Sequence, residues 1–155
     1  MGPYAGSFNV VFGGNVGEAQ DFPAILDAAE ALRADIAARI IVIGDGRMTP
    51  WVESEIARRG LGDRIVLLGR FPLERMPSFF KAADALLVSL KRDKIFAMTI
   101  PGKVQSYLAT GRPLLGMLDG EGARVIEEAG AGLVARSGDG RGLARNIEAL
   151  AAMTP

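Results

Sequence analysis

The sequence predicts an α/β fold: a doubly wound, Rossmann-like parallel sheet of about six strands with helices on both faces. Three observations carry this expectation. Short apolar runs recur along the chain, stretches of helical periodicity separate them, and glycine or proline marks most junctions. The runs are nearly continuous in apolar character instead of alternating, as suits parallel strands covered on both sides.

Phe8 to Gly13 reads as the first strand, and Gly13-Gly14-Asn15-Val16-Gly17 can turn sharply after it. A helix is expected from Phe22 to Ala34, with Asp21 as N-cap, Pro23 tolerated in the first turn, and Phe22, Ile25, Leu26, Ala29 and Leu32 forming one stripe. Arg39 to Ile43 is the second strand. Gly44-Asp45-Gly46 ends it, and Thr49-Pro50 offers a cap-plus-proline start to a helix whose Trp51, Val52 and Ile56 can face the sheet. Arg64 to Leu68 is strand three, a helix opening near Pro77 lies within Pro72 to Ala83, and Ala85 to Ser89 is strand four.

Polar Lys91-Arg92-Asp93-Lys94 and the partly apolar Ile95 to Ile100 then predict a long loop shaped around a ligand. A helix from Pro101 to Ala109 follows. Pro113 to Leu118 reads as a strand with proline only at its first position, and Glu121 to Ala129 as a helix ended by Gly130 and Gly132. Leu133 to Ala135 is a last short strand, and Asp139 caps a closing helix containing Leu143, Ile147 and Leu150. The common strand order 3-2-1-4-5-6 sets strands one and four together where the winding reverses, the usual ligand crevice of such sheets. Two unusual stretches, Gly13 to Gln20 and Leu90 to Lys103, would meet there.

A chain of 155 residues fits one domain. Lysine plus arginine equals aspartate plus glutamate at 18 each, which argues against a nucleic-acid partner, because affinity for a polyanion needs clustered cations. Cysteine and histidine are absent. Thiolate nucleophiles, disulfides, zinc chemistry and a histidine general base are thereby removed from this polypeptide. No apolar run is long enough to span a bilayer, and residues 1 to 15 lack the basic end and apolar core of a secretory leader. The expected location is cytoplasmic, or the cytoplasmic face of a membrane for a longer parent protein.

Gly13, Gly14 and Gly17 follow a strand and precede a helix, where small residues let backbone approach a diphosphate; a tight turn that meets no ligand is the plainer alternative. The dinucleotide fingerprint and the ATPase phosphate loop are both missing. Thr99-Ile100-Pro101-Gly102-Lys103 is a sharper signal, since it brings a helix start and an ammonium to one point. Such a group would neutralise a leaving diphosphate. A proline-initiated helix with a surface lysine reads equally well. Lys91, Arg92 and Lys94 either assist or form a solvated patch, and Arg70 either flanks a base or ends a strand. Glu121 either bonds to hydroxyls of a ligand or serves its helix start. Trp51, Phe79, Phe80 and Tyr107 read as packing residues.

These segments together resemble the C-terminal, donor-binding domain of the two-domain GT-B glycosyltransferases of group 1. The likeness runs through Gly14-Asn15-Val16-Gly17, Ile43-Gly44-Asp45-Gly46, Leu68-Gly69-Arg70, Ala83-Asp84-Ala85, Pro101-Gly102-Lys103 and Tyr107-Leu108-Ala109-Thr110-Gly111-Arg112-Pro113. It is closest to bacterial enzymes of O-antigen or capsule assembly, including the fucosamine-transferase type. The resemblance implies a UDP-sugar donor and no tightly bound cofactor. Donor contacts would come from Gly14, Asn15, Gly17, Arg70, Lys91, Thr99, Pro101, Gly102, Lys103, Ser106 and Glu121. It also implies an N-terminal lobe of the same parent protein, absent from this chain, that holds a glycan or lipid-linked acceptor. No catalytic residue is assigned within this sequence.

Departures from the family pattern are specific. Met98 and Ser106 stand where many relatives carry two glutamates, and Asn15 and Gln20 where many carry an arginine and a lysine. With these departures, and without the acceptor lobe that the resemblance implies, the chain alone is expected to bind nucleotide weakly and not to turn over. A non-catalytic scaffold of the same fold and a fragment of a UDP-sugar epimerase are the alternatives.

Overall fold

The computed structural model describes residues 6–98 and 100–153. Thr99 and the first five residues, on which the leader expectation partly rests, lie outside the described residues. One sheet of six parallel strands has the order β3-β2-β1-β4-β5-β6, as the sequence predicts. Its strands are β1 (Phe8–Gly13), β2 (Ala38–Ile43), β3 (Ile65–Gly69), β4 (Ala85–Ser89), β5 (Leu114–Met117) and β6 (Gly132–Ala135). The helices are α1 (Phe22–Ala31), α2 (Thr49–Arg59), α3 (Met76–Ala82), α4 (Lys94–Ala97), α5 (Gly102–Leu108), α6 (Gly120–Glu128) and α7 (Gly140–Met153).

Side chains alternate across the sheet, and each face has its own core. Val10, Phe12, Ile40, Val42 and Leu87 pack with residues of α1, α2 and α7. Val11, Ile41, Ile43, Leu86 and Val88 pack with residues of α3, α5 and α6 on the opposite face. Both faces exclude water, so the buried positions of β1, β2 and β4 are apolar apart from Ser89, whose hydroxyl is hydrogen-bonded. Among the described residues no helix is long and apolar enough to cross a membrane.

The structure revises several local expectations. Helix α1 stops at Ala31, because Leu32 is already extended and the Arg33 N–H donates to the Glu148 carboxylate on α7 at 2.8 Å. Arg64 then holds the departing chain by donating to the carbonyls of Arg33, Ile36 and Ala38. Asp21 occupies the N-cap position of α1 without a side-chain capping bond, its backbone left-handed at φ 56° after the 3-10 turn Glu18–Gln20. Met48, not Thr49, is the cap of α2; the Thr49 hydroxyl instead accepts from the Gly46 N–H at 3.0 Å. Val52 of α2 is fully buried, but Trp51 is 38% exposed.

The expected long loop after β4 is present and is interrupted by one helical turn. Asp93 accepts from the Ile95 N–H at 2.8 Å and starts the one-turn helix α4. Preceding it, the Lys91 N–H donates to the Ala19 carbonyl and the Ser89 hydroxyl to the Gln20 carbonyl, so the segment is stapled to the loop after β1. Asp139 serves α7 as expected, accepting from the Gly142 N–H at 2.8 Å.

Candidate functional site

At the carboxyl ends of β1, β2 and β3 a cleft of about 470 Å³ opens beside α5. That volume suits a small ligand. Its floor is backbone. The Gly14 N–H donates to the Ile43 carbonyl at 2.9 Å, and the loop after β1 is closed on the loop after β2 by the Val16 N–H donating to the Asp45 carbonyl at 3.0 Å. Gly14 (φ 151°) and Gly44 (φ 135°) make this approach possible, since a Cβ on Gly44 would collide with the Gly14 carbonyl. No L-residue fits either conformation without strain.

One wall is apolar, formed by Phe71, Leu73, Met76 and Phe80 from the segment after β3 and from α3. Leu73 remains 83% exposed on its rim, although exposing so large an apolar side chain is unfavourable unless something covers it. Arg70 and Asp45 stand at the same end and pair at 3.1 Å, with both side chains largely in solvent.

The opposite wall belongs to α5. Lys103 runs across the cleft so that its ammonium packs against Gly14 and lies 4.4 Å from the centre of the Phe12 ring. No carboxylate pairs with it among the described residues. Burial lowers its pKa below the ordinary 10.5, with no opposing charge to raise it. The Phe12 ring face offsets part of that cost. Ser106, three residues on and exposed, also lines the cleft.

Five of the sequence-predicted site residues thus converge: Gly14, Asn15, Arg70, Lys103 and Ser106. Gly17 supports them from behind, its N–H bonded to the Gln20 side chain at 3.1 Å. Pro101 caps α5 and Gly102 opens it, yet neither lines the cleft. Lys91 is exposed outside it, held there by its backbone bond to Ala19. Glu121 is not brought in either, because Arg124 one turn along α6 captures its carboxylate. The neighbouring cation Arg92 is drawn to Asp119 at 3.6 Å, away from the cleft.

Asp45, Phe71 and Leu73 are cleft residues that sequence reasoning did not single out. Their signal was positional: each follows the carboxyl end of a parallel strand, the edge at which such sheets take ligands.

A family profile described as Glycosyl transferases group 1 matches residues 7–153. Solved structures share the fold. A mutant of S. aureus TarM in complex with UDP superimposes with a TM-score of 0.80 at 14% identity, over 94% of this chain and 29% of that one. Anabaena HepE in complex with UDP gives a TM-score of 0.80 at 18% identity, over 94% and 39%. WaaG, a glycosyltransferase involved in lipopolysaccharide biosynthesis, gives 0.76 at 14%, over 96% and 39%. The chain therefore spans well under half the length of these structures. Among the curated proteins searched by sequence, none matches it.

Proposed function

The chain belongs to the glycosyl transferases group 1 family, and from that premise we propose that it is the donor-binding half of a retaining glycosyltransferase. The complete protein would move a sugar from a UDP-sugar to a glycan or lipid-linked acceptor. One observation carries the reading: a half-buried ammonium, Lys103, faces glycine backbone in an open cleft without an anion of its own. An unpaired cation in a low-dielectric site is costly until a ligand supplies the opposite charge.

Each wall has a task in this reading. The Gly14 loop lets a diphosphate approach the main chain, and Lys103 faces its phosphoryl oxygens. When the bond between the sugar C1 and the β-phosphate oxygen breaks, its electron pair leaves with that oxygen, and the ammonium stabilises the charge. The acceptor hydroxyl oxygen bonds to C1 and gives its proton to a base outside this chain. Phe71, Leu73, Met76 and Phe80 suit the face of a uracil ring, with Arg70 and Asp45 at its polar edge. Ser106 lies three residues from Lys103, hence on the same side of α5, where its hydroxyl can serve the ribose.

Affinity should be weak. One cation is opposed to two phosphoryl groups, since Asn15 and Gln20 are neutral and the Gln20 side chain is engaged by Gly17. The acceptor lobe belongs to the parent protein, and surface-polysaccharide assembly is the setting that the order of the segments from Gly14 to Pro113 supports. Calorimetry with UDP tests the donor reading, the expected result being weak saturable binding by the folded chain. No binding at millimolar UDP would end it. A product assay with donor and acceptor should show no turnover by these 155 residues alone, and multiple turnover would refute the division of labour.

A further inference from the structure

The sheet parts where the cleft begins. Strand β1 stays paired with β2 as far as Gly13 opposite Ile43, but with β4 only as far as Val11 opposite Leu86. Along a strand, successive peptide groups point to opposite sides. Gly14 turns its N–H toward β2, where Ile43 accepts it, and Asn9 turns its carbonyl toward the β4 side, where the Asp84 N–H donates at 2.9 Å. Gly13 shares the alternation of Asn9 and Val11. Its N–H and its carbonyl therefore both face β4 after β4 has moved away, in a buried place where an unpaired peptide group is unfavourable.

The Tyr107 hydroxyl occupies that gap. It accepts from the Gly13 N–H at 3.3 Å and donates to the Gly13 carbonyl at 3.2 Å. Its ring is 1% exposed and meets Phe80 edge to face at 5.1 Å, so packing fixes where the hydroxyl points. Burial pushes its pKa up to about 12, against a smaller opposite pull from Gly13, and the proton stays in place over the working range. Tyr107 and Lys103 are four residues apart on α5 and share one side of the helix. While Tyr107 holds Gly13, Lys103 reaches the residues on either side of it, Phe12 and Gly14.

We propose that Tyr107 is a positioning residue for the donor site: its hydroxyl clamps Gly13 to α5 and so sets the distance between the Gly14 main chain and the Lys103 ammonium. The ligand in this statement rests on the donor reading above. The clamp itself rests on the divergence of β1 from β4.

Tyr107→Phe keeps the ring and removes the clamp. Hydrogen exchange by NMR should show the Gly13 amide at least about tenfold faster in the variant, with β2 and β3 amides unchanged. The Lys103 CεH2 protons should be shifted upfield by the Phe12 ring in the native protein and move toward ordinary lysine values in the variant. UDP affinity should fall about fivefold, and the loss should shrink below about twofold when Tyr107→Phe is made on a Lys103→Met background. An unchanged Lys103 signal, or the same loss of affinity on both backgrounds, overturns the proposal. If the native protein takes no UDP, the donor reading fails, while the exchange and lysine signals still decide the clamp. Should Tyr107→Phe not fold, the native Gly13 amide decides: slow exchange is expected, and exchange at the rate of a loop glycine refutes the clamp.

Discussion

Lys103 on α5 and Glu121 on α6 sit on adjacent helices near one edge of the sheet, each with a single charge, and the fold treats them oppositely. Glu121 keeps 41% of its side chain in solvent at its helix start and already has Arg124 one turn away, which holds its carboxyl below the usual range. Lys103 is half buried and, among the described residues, meets an aromatic face and a glycine but no carboxylate. The contrast separates a charge that serves its own helix from one that, on the donor reading, waits for an outside partner. Sequence position alone made both look like ligand contacts.

Putting a side chain on Gly14 should have the largest effect. The new Cβ of Gly14→Ala would lie where the Lys103 ammonium now is, on a backbone at φ 151° that L-residues rarely adopt. UDP binding should drop roughly a hundredfold in calorimetry, from strain and the displaced cation together.

Lys103→Met comes next, costing about ten- to a hundredfold in affinity, as loss of a charge-assisted contact does. Its thermal midpoint should stay level or rise, because a flexible thioether on Phe12 replaces an unpaired ammonium. A clear fall in midpoint would mean that the lysine is structural and the contrast misplaced.

Proton linkage sharpens the comparison further. Diphosphate should lift the Lys103 pKa from its depressed free-state value toward or beyond 10.5. The complex then holds more protons than the free protein, so affinity falls as pH rises through the free-state value. The unliganded fold behaves in reverse: with its pKa below that of the unfolded chain, stability rises with pH across the same interval. Titrations in buffers of different ionisation enthalpy would report proton uptake at alkaline pH.

Glu121→Gln should have the smallest effect, under about twofold on UDP binding, the range of an exposed pair. A tenfold loss would bring α6 into the site and erase the distinction.

What the sequence disclosed follows the same divide. Strands are legible because a buried parallel sheet demands uninterrupted apolar runs; the predicted limits of β1 and β4 match, and the others differ by a residue or two. The meeting of Gly14 with Lys103 was legible as well, since strand order brings both to one crevice. Hidden were features that depend on register and on neighbours in space. No pattern in the sequence says that β1 leaves β4 after Val11, so Tyr107 reads as packing, which it is, without its hydroxyl being assigned a partner. Nor does periodicity disclose that Arg124, not a ligand, meets Glu121.

The contact between Gly14 and Gly44 constrains how this cleft can change. One side of it is bare polypeptide pressed against bare polypeptide, with no atom that a point mutation could resize without driving the two turns apart. The two walls that rise from it, Leu73 and Met76 on one and Ser106 on the other, consist of substitutable groups. On the donor reading proposed above, adaptation to a different base or sugar can therefore proceed on those walls alone, and a library meant to alter ligand preference belongs there.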